Sequence, residues 1–142
     1  MPIGSGCPRF SKRRHGNRLL IPEPPMSKKR LKFLRAAKFE SQSGRCFYCD
    51  LPMWLRCPSE LGLRPRSAAP FQCTAEHLVA KQDGGKDAAN NVVAAHACCN
   101  HRRHKRPGPA PSPESFRALV QRRVMSGKWW TSLPPGIARA PL

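Results

Sequence analysis

The sequence predicts a small α+β domain, on three observations. Residues 71–105 read as strand, loop, strand and helix. Two runs of metal-ligand type, Cys46-Phe47-Tyr48-Cys49 and His96-Ala97-Cys98-Cys99, lie before that unit and inside it. Stretches with helical character flank it, over residues 28–42 and from Pro113 to Val124. At 142 residues the chain has room for one domain with tails. The division read from composition is a basic tail at 1–26, expected to be disordered, a domain at 27–106, a Pro-rich linker at 107–113, and a C-terminal helix with a Trp-containing tail at 114–142.

The tail is Gly, Pro and basic residues with one short apolar run, and its Cys7 is given no role. Ser27 is suited to cap a helix that runs until Gly44. Leu31, Phe33, Leu34 and Ala37 gather loosely on one side of that helix. Lys28, Lys29, Arg30, Lys32, Arg35 and Lys38 crowd the rest. Either this helix docks by its apolar side and shows a basic face to a polyanion, or it is simply a solvated basic helix. Residues 50–70 are punctuated by Pro and read as a long loop, with Met53, Trp54 and Leu55 folding back on the core. Cys57 and Cys73 have no assigned part. Phe71 to Ala80 reads as a strand and Lys81 to Asn90 as a loop rich in Gly, Asp and Asn. Val92 to Ala95 is a second strand. His96 to Lys105 is a helix, stopped before Pro107. Ser112 caps the last helix, with Pro113 at its first position. Phe116, Leu119, Val120 and Val124 form its apolar stripe, and Gly127 ends it. Trp129 and Trp130 then either pack on the domain or stack on bases.

Charge narrows the function classes. Lys and Arg number 26 against 8 acids, a formal net charge of +18. Self-repulsion on that scale calls for a polyanion or a salt atmosphere, and nucleic acid is the first candidate because phosphate neutralisation drives binding with little regard to sequence. The acids are not spread as a solvated surface would need: Asp50, Glu60, Glu76, Asp83 and Asp87 fall in one stretch. No run of eighteen apolar residues exists to span a membrane. The basic N-terminus lacks an apolar segment behind it, so no secretory signal is read and a cytoplasmic location is expected. There the seven cysteines would be reduced, and a Cys-x-x-Cys pair reads as two thiolates reaching one tetrahedral ion from a tight turn. A redox pair is the competing reading, but the βαβ context it needs is missing.

The order Cys-x-x-Cys, then Glu76-His77, Gly84-Gly85, Asn91 before an apolar run, and a ligand pair with Asn100 behind it is similar to the HNH endonuclease family. His77 to Asn91 is 14 residues and Asn91 to Asn100 is 9. The resemblance covers roughly Arg45 to Lys105. It implies a ββα-metal finger core braced by a structural zinc. It places His77 as general base, Asn91 as the brace that orients it, and Glu76 and Asn100 as ligands of a catalytic Mg²⁺ or Mn²⁺. His104, one turn beyond Asn100, is either a further ligand or a phosphate contact. The second zinc half departs from the family's usual Cys-x-x-Cys-Asn. Keeping Asn100 in register gives Cys46, Cys49, His96 and Cys99, with Cys98 the competitor of His96.

These residue types suit phosphodiester hydrolysis. A neutral His is a good base near pH 7, and a cation steadies the charge that builds on phosphate and leaving group. The function implied is DNA cleavage. The partner is DNA, expected as duplex, with neither a membrane nor a small-molecule substrate. Lys28, Lys29, Arg30, Lys32, Arg35, Arg102, Arg103 and Lys105 are the candidate phosphate contacts. The alternative is a zinc-stabilised nucleic-acid-binding module without catalysis, which has no need of an acid, a His and an Asn at these intervals.

Overall fold

A computed structural model gives the fold and describes residues 27–138. The expectations for the tail at 1–26, Cys7 included, and for residues 139–142 fall outside the described residues. Two strands, β1 (Cys73–His77) and β2 (Val92–His96), pair antiparallel, from Cys73 opposite His96 to His77 opposite Val92. Helix α1 (Ser27–Ser41) and helix α3 (Ala97–His104) both pack against this hairpin. Between α1 and β1 lies a short helix α2 (Pro65–Ala68), and beyond α3 come α4 (Pro113–Met125) and α5 (Pro135–Ala138). The protein is thus a small α+β fold. No helix among the described residues is long and apolar enough to cross a membrane.

All five residues of β2 are buried, which requires cover on both faces and explains its unbroken apolar run. Its outer edge is also covered. Gln42 donates to the Ala94 carbonyl and accepts from the Ala94 amide, each at 2.9 Å, and the Phe47 amide donates to the same carbonyl at 3.0 Å.

Helix α1 faces the core differently from the sequence reading. Leu34 is buried and Leu31, Arg35 and Lys38 are half-buried, a stripe at i, i+3, i+4 and i+7. Phe33 and Ala37 fall one position off that stripe and point outward, Phe33 at 58% exposure. Residues 50–70 are more ordered than a loop. Glu60 is the third residue of a 3-10 turn over Pro58–Leu61 and accepts from the amides of Leu55, Arg56 and Cys57. Met53, Trp54 and Leu55 are buried as expected, and the Trp54 indole donates to the Ala68 carbonyl at 2.7 Å.

Helix α4 begins as its sequence indicates. The Ser112 hydroxyl accepts from the Ser115 amide, and Pro113 sits at the first position. Phe116 and Val120 are buried in the same core as Cys46, Tyr48 and Cys99. Gly127, at φ 70°, lets the chain turn back after the helix. The two tryptophans then pack on the protein. Trp129 meets Phe116 edge-on at 5.9 Å, and Trp130 lies 4.9 Å from Phe71.

Candidate active site and metal centre

The candidate metal centre is built by a turn and a helix start. Residues 46–51 fold back on themselves, with the Cys46 amide donating to Leu51 and the Asp50 amide to Cys46, and Asp50 at φ 60°. This aims Cys46 and Cys49 at His96, the last residue of β2, and at Cys99 in the first turn of α3. The four ligand atoms lie within 4.8 Å of one another and all four residues are buried. Cys98, the competitor, is half-buried and outside this group. His96 turns Nδ1 to the cluster, 3.1 Å from the Cys49 sulfur, while Nε2 donates to the Pro52 carbonyl at 2.8 Å. A ligating imidazole normally donates its second N–H in this way, which fixes its tautomer.

The thiols show how crowded the cluster is. Burial pushes Cys46 up, but hydrogen bonds with Cys49, Cys99 and His96 outweigh it and hold that thiol well below its usual range. Hydrogen bonding to Cys46 pushes Cys49 up, and bonds to Cys46 and Cys49 push Cys99 well up. One thiolate is thus favoured at the expense of the others, a conflict that a divalent ion relieves. Three sulfurs and one imidazole, with no position left open, suit a structural zinc.

His77 ends β1 and leads into the loop. Asn91 ties that loop together: its side chain accepts from the Val79 amide at 2.8 Å and donates to the carbonyls of Val79 and Lys86, both at 3.0 Å. The two glycines serve different needs. Gly84 has φ 90°, a conformation costly for other residues. At Gly85 a Cβ would stand 1.7 Å from the Val79 carbonyl oxygen, so only glycine permits the approach that Asn91 then secures. The loop carries Asp87 to His77, with Oδ1 2.7 Å from Nε2. Asp87 was counted among the clustered acids but given no site role, because nothing local marks which loop acid will meet the ring.

Glu76, one residue earlier, turns the other way, as alternation along a strand requires. It is 1% exposed. Its Oε1 accepts from the Tyr48 hydroxyl at 2.9 Å and from Arg103, and lies 3.1 Å from His104 Nε2. Burial first, and then the Glu76 charge, push the Tyr48 phenol up, so it stays a donor. Asn100 is directed at β1: its Nδ2 donates to Thr74 Oγ1 at 3.2 Å and to the Ala75 carbonyl at 3.4 Å.

Residues 56–106 match the model of the HNH endonuclease family. The HNH segment holds both strands, the loop and α3, and with them Glu76, His77, Asn91, His96, Cys99, Asn100 and His104. It is less than half of the chain and starts after Cys46 and Cys49. Neither a curated protein nor a solved structure matches the chain.

The basic residues around the HNH segment divide by burial. Lys28, Lys29, Lys32 and Lys105 are exposed. Arg30 donates to the Asp87 carbonyl at 2.6 Å, and Arg35 is half-buried. Two arginines named as phosphate contacts have partners within the protein. Arg102 donates to the Trp129 carbonyl at 2.8 Å and lies 4.5 Å over the Trp129 ring. Arg103 is 5% exposed and spends its donors on Glu76 and on the carbonyls of His77, Leu78 and Pro111. It stands one helical turn from Cys99, on the inward face of α3, which leaves it no path to a phosphate. A cleft of about 490 Å³ opens beside His104, between Ala80-Lys81-Gln82 and Gly108 to Ala110.

Proposed function

We propose that the protein is a metal-dependent endonuclease that hydrolyses phosphodiester bonds in DNA, built on a ββα-metal finger core. The observation that carries this reading is the end of β1. There a largely covered imidazole, 17% exposed, and a buried carboxylate occupy adjacent positions and face different sets of partners. His77 Nδ1 has no hydrogen-bond partner among the described residues, so its lone pair is free to take a proton from water. Asn91 keeps the loop, and through it the ring, in one posture.

The catalytic ion would be held by Glu76 and His104, with Asn100 Oδ1 as a further ligand. Glu76 Oε1 and His104 Nε2 stand 3.1 Å apart, so one ion could be reached by both. When bound, the ion supplies positive charge to the phosphate and to the departing 3′-oxygen. Arg103 already balances the Glu76 carboxylate. The protein would therefore offer the ion little net charge, and substrate phosphate would have to supply the rest. Lys81 and His104 line the cleft through which a DNA strand would reach it.

The test is incubation of the purified protein with supercoiled plasmid, in Mg²⁺ or Mn²⁺ and in EDTA. Nicking or linearisation that needs the metal supports the reading. Tight binding without strand breakage under any divalent ion would make the protein a zinc-braced binding module instead.

A further inference from the structure

The two nitrogens of His77 have unequal surroundings. Nε2 lies 2.7 Å from Asp87 Oδ1, and both side chains are largely covered, at 17% and 12% exposure. Nδ1 is unpartnered among the described residues. Asp87 is itself held from two further sides. Its Oδ2 takes Lys81 Nζ at 3.0 Å, and its main-chain carbonyl takes Arg30 Nε at 2.6 Å from helix α1. The His77 carbonyl is fixed in turn by Arg103 at 3.0 Å. Ring and carboxylate are therefore each anchored through their own backbones, and the bond between them is not a chance meeting of surface side chains.

We propose that Asp87 is a positioning residue for the His77 base, holding the neutral ring as its Nε2–H tautomer and leaving the Nδ1 lone pair to the nucleophile. An imidazole in the opposite tautomer carries its proton where the water must give one up, and cannot act as a base there. A carboxylate enforces the choice because it only accepts hydrogen bonds. Hydrogen bonds from His77 and then Lys81 hold the Asp87 carboxyl below its usual range, so it remains an acceptor at neutral pH. The role rests on the nuclease reading, but the tautomer does not.

Lys81 makes the consequence of substitution specific. In Asp87→Asn, Lys81 has only donors to offer and keeps the amide oxygen on its own side. The amide nitrogen then faces His77 Nε2, which must accept, and the ring proton moves to Nδ1. Asp87→Ala imposes nothing, so the ring samples both tautomers. The nearly isosteric variant is thus the worse one. If Asp87 only supported the loop, the order would be reversed.

The experiment records ring ¹⁵N shifts of His77 in the zinc-loaded full chain, assigned with His77→Gln, at a pH where the ring is neutral. Wild type should show Nε2–H, Asp87→Asn should show Nδ1–H, and Asp87→Ala a mixture. Single-turnover nicking should fall on the order of 10²-fold in Asp87→Asn, the lower end of a general base's contribution, and less in Asp87→Ala. An Nδ1–H ring in wild type, an unchanged tautomer in Asp87→Asn, or an Asp87→Asn protein more active than Asp87→Ala would overturn the proposal. A wild-type protein that has the Nε2–H ring yet never nicks DNA would sink the nuclease reading and leave Asp87's hold on the ring established.

Discussion

Arg103→Ala should damage the fold far more than the binding of DNA. The guanidinium is 5% exposed and serves four acceptors: Glu76, the carbonyls of His77 and Leu78 at the end of β1, and Pro111 before α4. Removing it strands a carboxylate that is itself 1% exposed. Breaking a buried ion pair from one side typically costs about 3–5 kcal/mol. Tyr48 and His104 still face Glu76, which holds the figure to the lower half of that range. Against a total stability of about 5–15 kcal/mol, the loss is large. Arg103→Met combined with Glu76→Gln should be less harmful than the sum of the two changes, by on the order of 1–3 kcal/mol, because a neutral amide needs no counter-charge. Urea unfolding of the zinc-loaded protein, followed by tryptophan emission, measures both. An Arg103→Ala protein within about 1 kcal/mol of wild type, but with weakened DNA affinity, would refute the burial argument and return Arg103 to the phosphate.

Four further outcomes follow from the same contacts. Metal analysis should find one zinc per chain, and Cys46→Ser or Cys99→Ser should abolish the folded state, whereas Cys98→Ser, outside the ligand cluster, should be mild. Gly85→Ala should disrupt the loop, since its Cβ would meet the Val79 carbonyl at 1.7 Å, while Gly84→Ala, with open space at its Cβ, should cost only the strain of a positive φ, about 1–2 kcal/mol; hydrogen exchange of the Val79 and Asn91 amides separates the two. Asp87 has a lowered folded-state pKa, so its pairing stabilises the fold above the ordinary carboxylate range near pH ~4 and fades as pH falls through the lowered value; the urea midpoints of wild type and Asp87→Asn should converge there. Affinity for duplex DNA should fall steeply with salt and depend little on sequence, as counterion release requires, and filter binding across a salt series would detect a flat response.

Much of the framework was legible because short-range rules carry it. Ser112 and Pro113 announce the start of α4, and the apolar run 92–95 marks a strand covered on both faces. The spacing of Cys46 and Cys49 marks one half of the metal cluster, whereas His96 and Cys99 were singled out by the resemblance, with Cys98 left open until packing excluded it. What escaped depends on direction rather than identity. Arg103 reads as one more cation in a basic run, yet it lies a turn from buried Cys99, and that offset is the signal that it points inward. Phe33 looks like core until the stripe through Leu34 is fixed by packing on the hairpin. Tyr48 sits unremarked between two cysteines, and its hydroxyl links the metal turn to Glu76 at 2.9 Å. Asp87 could not be distinguished from Asp83 by sequence, because the path of the loop, set by Gly85 and Asn91, decides which acid reaches His77.

The central claim is that His77 acts as the base while Glu76 and His104 serve the ion. The most direct test is the nicking rate of wild type, His77→Ala and His104→Ala across a Mn²⁺ titration, with zinc content and DNA affinity checked in parallel. His77→Ala should lose on the order of 10²- to 10⁴-fold at every metal concentration, since no ion replaces a proton acceptor. His104→Ala should recover toward wild type as Mn²⁺ rises. Rescue of His77→Ala by metal, or cleavage in which His77→Ala matches wild type, would contradict the account.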